Sequence, residues 1–248
     1  MAKPNACQLQ LINHHFINSH SIHENINAGF FESYALSKVN DIFLNRQVAV
    51  LVGGTGLYVK AFCEGLDAIP PADHSFRRDL LARYQTGGLP WLHEQIRIND
   101  PDLFIKNEFE NPQRMMRALE VKLTTGKSIL EFQSGRKAMR PFKILKIGFE
   151  LPRPVLNNQI DTRVSRMMAS GLLKEAEVLY QYKHLNALQT VGYRELFEHL
   201  EGKVSLDEAI NKIMNNTHQY AKRQMTWFKK DTSIIWKHPG DDLQTILP

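Results

Sequence analysis

Residues 48–62 read VAVLVGGTGLYVKAF, and the fold turns on them. Val48 to Val52 is an unbroken apolar run rich in β-branched residues, bounded by Asn45-Arg46-Gln47 before it and Gly53-Gly54 after. That pattern predicts a short strand buried on both faces, as in a parallel sheet. Two glycines and Thr55 then turn the chain, and a helix starts over Leu57 to Phe62. Strand, Gly-Gly-Thr turn and helix together set backbone N–H groups and one hydroxyl at the carboxyl end of a sheet. Open α/β folds bind ligands there. A turn that merely needs glycine to reverse the chain would read the same way.

Working outward, Asn27 to Asn45 predicts a helix with Asn27 as N-cap, because Phe30, Phe31, Tyr34, Ala35, Val39, Ile42 and Phe43 recur at helical spacing. Before it, residues 1–25 are polar, with His14, His15, His20 and His23. Only Glu24 stands near as a further donor, which disfavours a metal site. After it, Pro70-Pro71 marks a boundary, and no strand-like run occurs from there to residue 140. Helices are expected over 76–85, 89–98, 101–106, 112–125 and 128–132, with Gly87-Gly88 and Gly126 as stops. Asn111-Pro112 is an N-cap followed by a first-turn proline.

Residues 142–151, FKILKIGFEL, alternate like a strand. A long amphipathic helix follows over 157–182, divisible at Ser170-Gly171, then helices over 194–201 and 205–229 and a last short strand, Ile234 to Trp236. Ser205 with Glu208 is a capping box. The expected organisation is an α/β core, residues 1–67 and 139–248, with a helical insertion over 68–138.

Composition narrows the function classes. A net charge of +5 favours an anionic partner such as nucleic acid or phosphate. Two cysteines without CxxC spacing argue against a disulfide framework or structural zinc, and for a reducing, cytoplasmic setting. No apolar run approaches the ~18 residues of a membrane span, and the first residues lack a signal-peptide core.

Four stretches carry possible chemistry. Gln113-Arg114-Met115-Met116-Arg117 puts two arginines and a glutamine on one side of a helix start, suited to phosphates and base edges. The competing account is a solvated face paired with Glu110 or Glu120. Arg163 and Arg166 offer guanidinium forks for diphosphate oxygens. Gln189-Thr190-Val191-Gly192-Tyr193-Arg194 joins a flexible glycine, an aromatic ring and a cation, unless Tyr193 packs inward. Finally, Tyr220 and Trp227 form an aromatic stripe beside Lys222 and Arg223; Trp227 is expected in the core, with the two cations facing a phosphate backbone.

In order, VGGTGLYVKAFCEGL, Asn-Pro-Gln-Arg-x-x-Arg-Ala-Leu-Glu, Ala-Ser-Gly-Leu-x-x-Glu, Val-Gly-Tyr-Arg-Glu and Ala-Lys-Arg-Gln-x-Thr-Trp-Phe resemble the bacterial tRNA dimethylallyltransferase family. The likeness runs from Ala2-Lys3-Pro4 and His14-His15 to Trp236. It implies a P-loop-type α/β core with a parallel sheet and an inserted helical domain. It implies transfer of dimethylallyl from dimethylallyl diphosphate to N6 of the adenosine 3′ to the anticodon, by a monomer with no membrane association.

By the same resemblance, Thr55, Arg77, Gln113, Arg114, Met115, Met116, Arg117, Gln189, Thr190, Val191, Gly192, Tyr193 and Arg194 contact the tRNA anticodon stem-loop. Arg163 binds the diphosphate and, with Thr55, serves catalysis. The cations and the two glycine turns are expected to meet around an extruded adenine and a departing diphosphate.

The chain departs from the family in one respect. No GxxxxGK[ST] occurs in its 248 residues. In the family that loop and an Asp-Ser segment supply the diphosphate and Mg²⁺ ligands and the general base. The chain is therefore expected to be truncated at its N-terminus and poorly active. A tRNA-binding protein without catalysis is the alternative function. A P-loop small-molecule kinase is disfavoured, because it would leave the Gln-Arg and Val-Gly-Tyr-Arg motifs without a role.

Overall fold

Two short strands, β1 (Ile147–Phe149) and β2 (Ile235–Lys237), pair in parallel, with Ile147 opposite Ile235 and Phe149 opposite Lys237. They form the one sheet of the computed structural model, which describes residue 4 and residues 6–71, 74–106 and 111–242. Ala2, Lys3 and Glu110, named above, lie outside the described residues. Everything between the strands is helix and turn, the long connection that parallel pairing requires. Gly148 is small for a reason: a side chain there would stand 2.8 Å from the Trp236 ring on the opposite strand.

Chain packing divides the protein into two units, residues 1–63 with 140–248, and residues 64–139. The first holds α1 (Ala6–Leu11), α2 (Ala28–Phe43), α3 (Gly56–Glu64, which runs one residue past the boundary), the two strands, and α8 (Arg153–Ala169), α9 (Leu172–Leu179), α10 (Tyr193–Leu200) and α11 (Leu206–Phe228). The second holds α4 (His74–Asn99), α5 (Pro101–Ile105), α6 (Pro112–Thr125) and α7 (Ile129–Phe132). The protein is thus α/β with a small parallel sheet and many helices.

Most helix boundaries follow the local chemistry. Asn27 Oδ1 accepts from the Phe30 N–H at 3.0 Å to start α2. Asn111 Oδ1 accepts from the Gln113 N–H at 3.0 Å to start α6, and Gly126 ends it at φ 75°. Gly88 breaks α4 at φ 62°, so the expected stop is a kink between two helical stretches. Gly171, at φ 94°, divides the long helix into α8 and α9. In the first unit one core forms where α8, α9, α10 and α11 meet around Val164, Ala176, Leu196 and Ile213; a second joins α2 to α3 through Ala35, Val39 and Phe62. The second unit closes over Leu92, Ile96, Leu103, Met115 and Leu119.

The strand expected over Val48–Val52 does not form. Residues 48–55 are neither helix nor strand, and Val50 and Val52 are 80% and 91% exposed. Ala49 alone of the run packs, against the α2–α3 core. An apolar run becomes a strand when a neighbour supplies a hydrogen-bond ladder, and neither described strand pairs with this one. The strand expected over 142–151 contracts to β1, because Phe142 packs instead against the Phe43 and Phe62 rings.

Candidate nucleic-acid interface

The Gly-Gly-Thr turn rests on α11. The Gly54 carbonyl accepts from Gln224 Nε2 at 2.8 Å, and a side chain on Gly56 would stand 2.7 Å from Trp227 Cε2. Neither glycine has positive φ, so it is close approach, not backbone freedom, that demands them. Thr55 is exposed, and its carbonyl starts α3 by accepting from the Tyr58 and Val59 N–H groups at 2.9 and 3.1 Å.

On α11 an open groove of about 530 Å³ is lined by Gln219, Lys222, Arg223, Thr226, Trp227 and Lys230. Its lining holds three cations and no carboxylate, and none of the three has an ion-pair partner among the described residues. The Arg223 guanidinium sits 5.9 Å from the centre of the Tyr220 ring. Trp227, expected in the core, is 38% exposed and forms part of the groove. It sits on the outer side of α11, where Gly56 leaves its indole room against the turn.

Arg163 and Arg166 are exposed on α8 and lack carboxylate partners among the described residues. Asp161, their neighbour in sequence, lies 2.9 Å from His218 of α11 instead.

The 189–194 turn is held from within. Gly192 is buried at φ 106°, and its N–H donates to Glu195 Oε2 at 2.7 Å. Glu195 Oε1 accepts from Asn216 Nδ2 at 2.7 Å, tying the turn to α11. Gln189 donates to the Lys183 carbonyl, and Val191 packs on the core. Thr190 and Arg194 remain exposed, with Arg194 3.7 Å from Glu195.

Tyr193 contradicts its expected role as a stacking platform. Its ring stacks on Phe197 and its hydroxyl donates to Glu175 at 3.1 Å. Burial, and then the Glu175 carboxylate, push its pKa up to about 12.

In the second unit Gln113 and Arg114 are exposed at the start of α6. Met115 is not available to a ligand: it is buried in the core, because position 115 falls on the α6 face that packs on α4. Met116 packs against the same core. Arg117 donates to Glu120 at 2.9 Å and to the Pro70 carbonyl, and Arg77 lies 3.6 Å from Glu120. The competing ion-pair account of Arg117 is therefore the observed one for that residue, while Gln113 and Arg114 stay open.

None of Thr55, Arg163 and Tyr193 lines the α11 groove, and the Tyr193 hydroxyl is engaged with Glu175. What does converge is the Gly53–Gly56 turn with Gln224 and Trp227. The signal for this was present as two glycines beside a helix carrying Lys-Arg-Gln-x-Thr-Trp. Glu195 was also missed, although Gly192 and Glu195 stand at capping spacing.

The chain is a helix-rich α/β protein with an inserted helical unit, and it presents a cationic groove on α11 and an exposed Gln-Arg start on α6, features suited to phosphate groups. The family model for IPP transferase matches residues 1–231, and the chain belongs to that family. A tRNA dimethylallyltransferase of Cytophaga hutchinsonii is 43% identical over 228 residues, covering 92% of this chain and 75% of the relative. One of Christiangramia forsetii is 42% identical over 235 residues, covering 95% and 78%.

Among solved structures, the full-length tRNA isopentenylpyrophosphate transferase of Bacillus halodurans matches with TM-score 0.67 at 30% identity, over 99% of this chain and 78% of that one. A eukaryotic dimethylallyltransferase acting on tRNA matches with TM-score 0.70 over 98% and 64%; at 24% identity that likeness is one of fold. The family is one of tRNA prenyltransferases, and the resemblance read from the ordered motifs holds.

Proposed function

We propose that this chain binds the anticodon stem-loop of a tRNA and directs a dimethylallyl group from dimethylallyl diphosphate to N6 of the adenosine 3′ to the anticodon, working as a cytoplasmic monomer. The observation that carries the reading is the α11 groove: three unpaired cations and a half-exposed indole beside the glycine turn, in a member of the IPP transferase family. Among the described residues no helix is long and apolar enough to cross a membrane.

In this reading Lys222, Arg223 and Lys230 hold backbone phosphates, and the open faces of Trp227 and Tyr220 stack on unpaired bases. Gln113 and Arg114, at the start of α6, are a second contact. Arg163 takes the diphosphate: with no carboxylate partner among the described residues, the guanidinium is free for two oxygens of a leaving group. In the transfer N6 attacks the allylic carbon, the carbon–oxygen bond breaks, and diphosphate departs with its charge stabilised by that cation. Thr55 presents a hydroxyl beside the first turn of α3.

Among the described residues no group of three or more His, Cys, Asp or Glu side chains converges, and no ligand is assigned to the magnesium implied by the resemblance. No step is derived through it, and no described residue is assigned as the base that takes the N6 proton.

The test is to mix the chain with labelled dimethylallyl diphosphate and an anticodon stem-loop bearing the target adenosine. Binding that weakens with salt, followed by label on the RNA, is the expected result. Binding without transfer selects the non-catalytic alternative. No binding at low salt sinks both.

A further inference from the structure

Glu120 is one of two charges buried in the second unit, 2% exposed like Asp100, on the α6 stretch that carries the core residues Met115, Leu119 and Val121. Two guanidiniums reach one of its oxygens. Arg117 Nη1, one turn earlier on α6, lies 2.9 Å from Oε2, and Arg77 Nη1, from α4, lies 3.6 Å from the same atom. The other oxygen, Oε1, is buried without a hydrogen-bond partner among the described residues.

The two arginines differ. Arg117 is largely consumed, because its second fork nitrogen donates to the Pro70 carbonyl. The Arg77 side chain is 51% exposed, and its one ion pair among the described residues is long. Stability alone is a poor reason for this arrangement. A buried carboxylate with one oxygen unpaired costs more than an apolar side chain of its size, and pairs of this kind seldom return the cost of desolvation. What the arrangement does achieve is direction. An exposed arginine on a helix samples many rotamers, and a fixed anion at its base reduces that choice before any ligand arrives.

We infer that Glu120 is a positioning residue for RNA binding: it holds the Arg77 side chain over the junction of α4 and α6, with most of its donors free, to meet one backbone phosphate. Arg117 balances the carboxylate and fastens the Pro70 segment to α6. The inference rests on the tRNA-binding reading above and adds to it a residue that never touches the RNA.

The experiment measures the affinity of the full chain for an anticodon stem-loop across a salt series. The variants are Arg77→Ala, Arg78→Ala, Glu120→Gln and the double variant Arg77→Ala/Glu120→Gln, with thermal unfolding run on each. Arg78 is exposed on the same helix and has no contact with Glu120, so it reports charge without positioning. Arg77→Ala is expected to weaken binding about tenfold and to lower the salt slope by about one. Arg78→Ala should weaken it by at most about twofold. Glu120→Gln is expected to weaken it about fivefold, from the ordering that Arg77 loses, and to add nothing in the Arg77→Ala background.

Equal losses for Arg77→Ala and Arg78→Ala overturn the inference, and that arm does not need Glu120→Gln to fold. An unchanged affinity for folded Glu120→Gln, or a full additive loss in the double variant, overturns it as well. If the unaltered chain binds no stem-loop, the tRNA-binding reading fails first and takes this one with it.

Discussion

The two glycine turns of the first unit look alike in sequence and are held by opposite means. Residues 53–56 lie on the surface of α11 and are fixed by contact: a carbonyl on Gln224 and a backbone pressed to the Trp227 indole. Residues 190–192 are fixed by hydrogen bonding around a buried carboxylate, with Gly192 at a φ that only glycine adopts without strain. The first turn has an open, cationic groove beside it, while the second has most of its polar groups already occupied. Glycine near a charged motif therefore marks either a place where something approaches closely or a place where the backbone must bend, and only the first leaves room for a ligand.

The largest effect should come from breaking the hydrogen-bonded turn. Glu195→Ala leaves the buried Gly192 N–H without an acceptor and opens a hole beside Asn216. A loss of about 3 kcal/mol in unfolding free energy is expected by chemical denaturation. Glu195→Gln should recover most of it, because the amide oxygen can serve Gly192 while Asn216 turns its own oxygen to the new NH2. Equal losses for the two would mean that volume, not hydrogen bonding, holds the turn.

The packed turn should yield less, and in a different way. Gly56→Ala drives a methyl into the Trp227 ring, at a cost of about 2 kcal/mol. Trp227→Ala removes the obstacle, so the added cost of Gly56→Ala in that background should fall to near zero. A cost that persists there would show that Gly56 is required by its own backbone, and the contrast between the turns would collapse.

Much of this was legible in the sequence, and where it was not the reason is physical. Asn27, Asn111, Ser205 and the glycines at 88, 126 and 171 announced helix ends because capping is a matter of a few adjacent residues. Val48–Val52 was misread because a strand is made by its neighbour, and five apolar residues say nothing about whether that neighbour is present. Trp227 and Tyr193 exchanged expected places. Helical spacing shows which residues share a side, but not whether that side faces the core or the solvent. In the Gln-Arg-x-x-Arg stretch Arg114 is open and Arg117 is paired, a division set by Glu120, which the sequence offered as a competing partner, and by Pro70, which lies 47 residues away and could not be read from the motif.

Gly192→Ala comes next in size and sharpens the contrast from the other side. No atom lies within 4 Å of the added methyl, so the whole penalty is the backbone's: about 1.5 kcal/mol for an L-residue at φ 106°. No truncation of a neighbouring side chain should relieve it, unlike Gly56→Ala. Relief by any such second change would place the two glycines in one class.

The smallest effect concerns Tyr193, and its sign can be worked out. Burial first, and the Glu175 carboxylate second, raise its pKa to about 12 in the folded chain, against about 10 when unfolded. Folding therefore favours the neutral phenol. That contribution is fully present below about pH 10 and is lost as pH rises through about 12, because the unfolded chain gives up the proton first. Tyr193→Phe removes the hydrogen bond to Glu175 and should cost about 1 kcal/mol at neutral pH. Since phenylalanine has no proton to lose, the gap between wild type and variant should close between pH 10 and 12. Urea titrations of both proteins at pH 8, 10 and 11 measure the gap directly. A gap that stays constant would mean that the hydroxyl reaches solvent, which would return Tyr193 to the surface role read from the sequence and make the second turn as open as the first.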